Sequence, residues 1–180
     1  AFHSAAFDPA TGKELWWFPY TGFSIVGRPS YGNGLFYIVG SIRQDHFCIY
    51  AVKPGEGKLK DNQRVWQFST GIGHVPSPLL LGKEIYAVHD GGVAGCLDAL
   101  TGKELWRERL GGNHDASPTE INGKLYFVNR EGQTTILAAG RQFKVLAKNK
   151  LDGVFKATPA IADGALFLRS ATHLYRIQQR

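Results

Sequence analysis

The hexapeptide TGKELW occurs twice in this chain of 180 residues, at positions 11–16 and again at positions 101–106. Two identical segments at a separation of 90 residues indicate an internal repeat. A repeat restricts the fold to architectures that stack copies of one supersecondary unit. The first question is which unit is repeated, and the second is whether the repeated residues carry chemistry or only build the fold.

A second repeated feature is a proline that precedes a short β-rich run. These prolines are Pro29, Pro78, Pro118 and Pro159, which lie 49, 40 and 41 residues apart. Each opens a series of short runs of β-branched or alternating residues, bounded by Gly, Asn, Asp or Pro. Such runs predict antiparallel strands joined by hairpins. Four strands in about 40 residues predict one blade of a β-propeller.

The predicted fold class is all-β, a β-propeller of four-stranded antiparallel blades with about four blades present. It is either half of a seven- or eight-bladed propeller or a small four-bladed ring. The chain has no methionine and is predicted to have a third strand at each end. Both features favour the interpretation that it is half of a longer propeller. The chain is interpreted as one continuous segment, 1–180. It divides into the end of one blade (1–20), three blades (21–70, 71–110 and 111–151) and a partial last blade (152–180). A polar hairpin loop at 53–64 accounts for the longest interval.

The repeated TGKE segment is predicted to be the turn between the third and fourth strands. Gly12 and Gly102 supply the positive φ angle that such a turn needs. Asp8 and Asp98 stand just before the turns, where a carboxylate can accept backbone hydrogen bonds. Three tryptophans follow at one equivalent position of the fourth strand, and they are predicted to pack between adjacent blades; they are Trp16, Trp66 and Trp106. In the next unit this position is held by Ala147, so that interface must be sealed differently.

The net charge of +6 gives little information about the partners of the chain. The whole excess lies in residues 141–180, where a basic patch could attract nucleic acid. No aromatic stacking platform accompanies it, so solvated strand faces are favoured and no nucleic-acid partner is expected. No apolar run is long enough to span a membrane. Cys48 and Cys96 fit no zinc motif and are interpreted as small buried residues.

Candidate binding residues lie in the loops that do not repeat. Those loops join the fourth strand to the next first strand, or the second strand to the third, and meet at one mouth of the central channel. His74 and His114 occupy the same repeat position, four residues before the proline. They could bind a metal or act as acid and base, but two ligands make no closed site, and polar packing is favoured. The candidate channel-face residues are Arg43, Asp45, His74, His89, Asp90, His114, Asp115, Arg130 and Arg169; no catalytic residue or metal ligand is assigned.

The segments at 6–16 and 96–106 share the pattern A/C-x-D-x-x-T-G-K-E-L-W, which resembles the repeat of the PQQ-like β-propeller family. The motif is specific for the fold and says much less about function. The resemblance implies an extracytoplasmic protein of the periplasm or cell envelope. Family members that bind the quinone carry two adjacent cysteines and a calcium site. Neither is recognisable here, so no cofactor is expected and PQQ binding is disfavoured.

The function predicted from the sequence is that of a non-catalytic propeller scaffold whose loop faces bind a protein or a small polar ligand. One alternative is that the chain is part of a quinoprotein-like or metal-dependent enzyme with its site at the channel mouth. A homodimer that completes an eight-bladed ring is an alternative for the assembly.

Overall fold

A computed structural model describes residues 3–22, 25–43 and 46–178. Within them the chain forms eighteen β-strands and one 3₁₀ turn at Asp61–Gln63. The strands are β1 (His3–Phe7), β2 (Glu14–Pro19), β3 (Ser30–Gly32), β4 (Leu35–Arg43), β5 (His46–Val52), β6 (Gly57–Lys58), β7 (Arg64–Phe68), β8 (Leu79–Leu81), β9 (Glu84–Val88), β10 (Val93–Asp98), β11 (Glu104–Arg109), β12 (Thr119–Ile121), β13 (Lys124–Val128), β14 (Gln133–Ala138), β15 (Val145–Lys150), β16 (Ala160–Ala162), β17 (Ala165–Arg169) and β18 (Leu174–Ile177).

These strands form five sheets in chain order, which we number 1 to 5. Sheet 1 has the order β1-β2-β6, and sheet 5 the order β16-β17-β18. Sheets 2, 3 and 4 are four-stranded, with the orders β3-β4-β5-β7, β8-β9-β10-β11 and β12-β13-β14-β15. All their neighbouring strands are antiparallel. The predicted fold is confirmed: the chain is a partial β-propeller of about four blades.

Short turns explain why the runs fold as hairpins. Asn33, Asn122 and Asp163 each precede a glycine, and both residues of each pair have positive φ. That conformation defines the turn whose twist matches a two-residue β-hairpin, and Asn-Gly and Asp-Gly adopt it most readily. The first and second strands of sheets 2, 4 and 5 are joined in this way. Local turn chemistry therefore fixes the register between the first and second strands of these sheets.

The core lies between successive sheets. Four buried apolar clusters join sheet 1 to 2, 2 to 3, 3 to 4, and 4 to 5. Among the described residues, none of these clusters joins sheet 1 to sheet 5, the contact that a closed four-bladed ring would need. The sheets therefore follow one another as an arc, each packed on its neighbours in the chain.

The TGKE segments form the turns between β1 and β2 and between β10 and β11. Gly12 and Gly102 have φ of 71° and 70°. The Asp8 Oδ1 atom accepts hydrogen bonds from the Ala10 and Thr11 backbone N–H groups, each at 2.8 Å. The same contacts recur at Asp98. The bonds from the Thr11 backbone lead the causes that lower the pKa of Asp8. The repeated hexapeptide thus builds a hairpin.

The repeated tryptophans lie between sheets. The Trp66 indole N–H of sheet 2 donates to the Ala99 carbonyl of sheet 3 at 2.9 Å. Trp106 of sheet 3 donates to the Gly140 carbonyl of sheet 4 at 3.3 Å, and its ring meets Phe143 edge-on at 5.3 Å between centroids. Each ring therefore contacts the turn region that follows the third strand of the next sheet.

Ala147 stands at the tryptophan position of sheet 4, and the space between sheets 4 and 5 is correspondingly open. A groove of about 480 Å³ lies between them. Tyr126 and Ile136 line it from sheet 4, and Leu166 and Ile177 line it from sheet 5. Without a tryptophan at this position, sheets 4 and 5 are joined by the smaller cluster around Phe155 and Leu168.

The segment at 53–64 differs from the polar hairpin loop that the sequence predicted. Within it, β6 pairs in parallel with β2 of sheet 1. The Leu59 N–H donates to the Trp17 carbonyl at 2.8 Å, the Leu59 side chain is buried, and the Lys58 ammonium lies over the Trp17 ring at 5.2 Å. The segment does join the antiparallel strands β5 and β7, as predicted, but its pairing with sheet 1 was missed because the polar composition concealed one buried apolar residue, Leu59. The inserted segment therefore connects sheet 2 to sheet 1 through its pairing with β2.

Candidate functional site

Two classes of loop share one end of the sheets, the end opposite the TGKE turns. One class precedes each first strand and includes residues 69–78, 110–118 and 151–159. The other joins second and third strands at 89–92, 129–132 and 170–173. We call this end the loop face. Arg43 ends β4 and is exposed, whereas Asp45 lies outside the described residues.

In sheet 3 the Asp90 carboxylate holds the two loop classes together. Its Oδ2 atom accepts the His74 backbone N–H at 2.8 Å, and its Oδ1 atom accepts the Val75 N–H at 3.1 Å. The His74 ring stacks on Phe47 of sheet 2, with 4.7 Å between centroids and 19° between planes. The structure therefore brings His74 and Asp90 together, and the contact is made by the backbone of the histidine.

In sheet 4 an ion pair makes the equivalent connection. The Arg130 guanidinium donates to both carboxylate oxygens of Asp115, from Nε at 2.8 Å and from a terminal nitrogen at 2.5 Å. This bidentate geometry suits guanidinium and carboxylate. The Asp115 carboxylate raises the pKa of Arg130. Both residues were candidate ligand contacts, and here they fix each other's position.

His114 is buried, with 2% of its surface exposed. Its backbone N–H donates to the Asp90 carbonyl at 2.8 Å, while its Nδ1 atom has no hydrogen-bond partner among the described residues. At the same repeat position in sheet 5 stands Phe155, equally buried, whose N–H donates to the Arg130 carbonyl at 3.0 Å. A phenylalanine in the equivalent place supports packing as the role of this histidine.

The protonation of His114 follows from its burial. Desolvation lowers its pKa, and the Gly112 backbone and nearby carboxylates oppose that shift without cancelling it. Its folded-state pKa therefore lies below the ordinary value of 6.5. As the pH falls below 6.5, the unfolded chain binds this proton first, so the contribution of His114 to stability decreases. Above that pH the ring is neutral in both states and contributes no pH dependence.

Two more candidates lie farther along the loop face. The His89 Nδ1 atom accepts the Gly91 N–H at 3.0 Å, which holds the imidazole against its own loop. Arg169 is exposed at the end of β17 and lines a cavity of about 380 Å³ with Lys156 and Ser170. Neither residue joins the connections around Asp90 and Arg130 described above.

Sequence reasoning missed a chain of hydroxyl contacts that links the segments before successive first strands. The Ser77 hydroxyl accepts the Arg28 N–H, the Ser117 hydroxyl accepts the Ser77 N–H, and the Thr158 hydroxyl accepts the Ser117 N–H, at 2.9–3.1 Å. These residues line a cavity of about 590 Å³. The signal was visible as a Ser or Thr before each of three repeated prolines, but spacing alone does not show that the hydroxyl reaches the preceding sheet.

The described residues do not fit the quinone or metal sites of the sequence resemblance. Cys48 and Cys96 are free, fully buried and in different sheets. They are not equivalent, because Cys48 faces sheet 1 and Cys96 faces sheet 4. Burial raises the pKa of the two thiols to about 11 and about 12. In the described part of the chain, no three His, Cys, Asp or Glu side chains are grouped to hold a metal ion.

Comparison with known proteins gives one family and several relatives. The family model described as "Outer membrane protein assembly factor BamB" matches residues 48–142, just over half of the chain. The chain is 24% identical over 93% of its length to tetrathionate hydrolase of Acidithiobacillus ferrooxidans. It is 29% identical over 61% of its length to BamB of Burkholderia pseudomallei. BamB from Moraxella catarrhalis has a similar structure, with a TM-score of 0.73 over 99% of this chain at 17% identity.

These relatives are longer proteins. The matched parts cover 38% of the hydrolase, 29% of the Burkholderia BamB and 52% of the Moraxella BamB. The chain therefore spans about half or less of each of these three relatives. Within the described ranges, no helix combines the length and apolar character needed to cross a membrane.

Proposed function

The chain belongs to the family whose model is described as outer membrane protein assembly factor BamB, and from that premise we propose that it is a non-catalytic scaffold whose loop face binds another protein. We propose the cell envelope, outside the cytoplasm, as its location, because the family description names outer-membrane protein assembly. A small polar ligand, or a second copy that completes an eight-bladed ring, is the alternative to a protein partner.

One observation carries this proposal: the loop face is held in place by its own contacts. The Asp90 carboxylate and the Asp115–Arg130 pair each join two loops of one sheet. The carbonyls of Asp90 and Arg130 each accept an N–H from the following sheet. Loops fixed before binding lose little conformational entropy when a partner docks. The arrangement thus suits a preformed protein-binding surface.

The repeated residues have a separate role in this proposal. We propose that Trp16, Trp66 and Trp106 are docking residues between blades, and that residues 1–180 form one continuous propeller segment. The indole contacts of Trp66 and Trp106 with the next sheet support that role. Binding and architecture would then be assigned to opposite ends of the same sheets.

Charge reversal on the loop face tests the binding role. The variant Arg43→Glu/Arg130→Glu should abolish capture of a protein from solubilised cell-envelope extract by the immobilised chain. The matched control Lys83→Glu/Lys103→Glu makes the same change in net charge at exposed positions on the opposite end. The captured protein is identified by mass spectrometry and retested in purified form. Circular dichroism of both variants checks that the fold is retained.

Equal capture by the two folded variants would contradict a loop-face partner. If the unmodified chain captures no protein either, the result would instead favour a second candidate function. In that function the chain is part of an enzyme with its site at the channel mouth. The likeness to tetrathionate hydrolase favours that candidate. Against it stand the contacts of His74 and His114, whose rings pack against protein or are buried.

A further inference from the structure

The loop of residues 110–118, which we call the crossing loop, runs from sheet 3 to sheet 4 and is tied to both. The His114 backbone N–H donates to the Asp90 carbonyl of sheet 3 at 2.8 Å, and the Asn113 carbonyl accepts the Arg130 N–H of sheet 4 at 2.7 Å. Sheets 3 and 4 are both four-stranded. The imidazole of His114 is buried at this crossing, with 2% of the residue's surface exposed. A change at this ring therefore acts on the contacts of two neighbouring sheets.

The corresponding loop between sheets 4 and 5 makes the same contacts without a titratable ring. The Phe155 N–H donates to the Arg130 carbonyl at 3.0 Å, and the Val154 carbonyl accepts the Ala171 N–H at 2.9 Å. Phe155 stands at the position of His114 and is also 2% exposed. The chain thus contains a matched pair of loops, and only one of their two buried rings can gain a proton.

The charged groups near the imidazole are engaged by other partners. Asp90 on the loop of sheet 3 accepts two backbone N–H groups. Asp115 on the crossing loop pairs with the Arg130 guanidinium, and Glu131 of sheet 4 accepts a backbone N–H at 3.3 Å. In the part of the chain that the structure describes, none of these carboxylates forms an ion pair with His114. A proton on the ring would therefore create a buried cation that no counter-ion contacts.

The hydrogen bonds of the imidazole also favour its neutral form. The Gly112 backbone hydrogen-bonds the ring, whereas Nδ1 has no partner among the described residues. A neutral imidazole carries one N–H donor and an imidazolium carries two. A proton on Nδ1 would thus bury a donor that faces no acceptor, which is costly. Desolvation accordingly lowers the pKa of His114, and the closed crossing loop disfavours the charged ring.

We propose that His114 is an acid-sensitive latch of the loop face. When the imidazole gains a proton from solvent, the crossing loop leaves its contacts with Asp90 and Arg130, and the loop face loses its preformed shape. Because the open loop returns the ring to water and to its ordinary affinity for protons, falling pH favours opening. This inference rests on the proposed protein-binding function and adds its regulation, in which mild acid weakens the binding of the partner.

Amide exchange of the free ¹⁵N-labelled chain tests the latch without a partner. The reporters are the backbone amides of His114 and Arg130, and the references are the equivalent amides of Phe155 and Ala171. Protection factors are compared at about pH 7.5 and about pH 5.5, where carboxylates, with ordinary pKa values of about 4, remain ionised. The reporters should lose up to about tenfold in protection, the limit for one proton that only the open loop binds, and the references should change little.

A variant copied from the next sheet provides the control. His114→Phe places the ring of residue 155 in the crossing loop and should abolish the loss of protection in acid; His114→Leu replaces it if the phenylalanine variant does not fold. His74 and His89 remain in both variants, so a loss that persists would belong to those histidines and overturn the proposal. A change below about twofold at the reporters of the unmodified chain, or an equal loss at the references, would also overturn it.

The latch and the loop face fail separately. The affinity for the captured protein should fall up to about tenfold at about pH 5.5 in the unmodified chain and stay constant in His114→Phe. Equal pH dependence of the two affinities would overturn regulation through His114. If Arg43→Glu/Arg130→Glu loses its captured protein while amide exchange shows no opening in acid, only the latch is overturned. If the reporters open in acid and the chain captures no protein, only the proposed binding function is overturned.

Discussion

Replacing Trp106 with alanine should lower the free energy of unfolding by about 3–5 kcal/mol, the usual cost of removing a buried aromatic ring. Trp106 is 9% exposed and belongs to the cluster that joins sheets 3 and 4. Its removal would leave Phe143 without its edge-on partner and Gly140 without the indole donor. Urea denaturation followed by circular dichroism measures the change.

A conservative variant shows which part of the side chain matters. Trp106→Phe keeps a buried ring but removes the indole N–H, so its cost should be about 1–2 kcal/mol, within the range for a lost hydrogen bond and a small volume change. A loss below about 1 kcal/mol in Trp106→Ala would contradict an interface sealed by this ring, since surface changes are typically within ±0.5 kcal/mol.

Alanine at Gly102 should destabilise the chain by about 2–4 kcal/mol, against about 1 kcal/mol for alanine at Gly12. Both glycines occupy the same turn position, with φ of 70° and 71°. A Cβ atom at Gly102 would lie 2.6 Å from the Trp66 ring, whereas one at Gly12 would meet nothing within 4 Å. The pair therefore separates backbone strain, which both variants share, from a steric clash between sheets, which only one has.

Denaturation curves of the two glycine variants provide the test. The Gly102 variant should also change the tryptophan fluorescence of the folded state, because the Trp66 indole must move. Equal destabilisation in both variants, with unchanged fluorescence, would mean that the turn of sheet 3 does not press on Trp66. In that case the repeated glycine would serve the turn alone.

The repeats made most of the fold predictable from the sequence. Gly12, Gly102, Asp8 and Asp98 could be assigned roles because their contacts are local, within five residues of each other. The tryptophan position could be inferred because it recurs in three units. The pairing of β6, next to Leu59, with β2 could not be predicted. It joins residues about 40 apart through a polar segment that has no repeated counterpart.

The loop face was predictable in position but not in geometry. Spacing predicted that His74 and His114 lie at one mouth of the channel, yet it could not show that Asp90 binds the backbone of His74 and Val75. Nor could spacing show that His114 is buried where the next sheet has Phe155. Burial depends on how neighbouring sheets approach each other, and that distance is set by side chains of both sheets together.

Hydrogen–deuterium exchange of the complex with the captured protein tests the central claim most directly. If the loop face binds a partner, backbone amides at 69–78, 89–92, 110–118 and 129–132 should exchange more slowly in the complex. The turns at the opposite end, at 99–103 and 122–123, should exchange as in the free chain. Protection confined to those turns, or none in the loops of the complex, would contradict a scaffold that binds through its non-repeating loops.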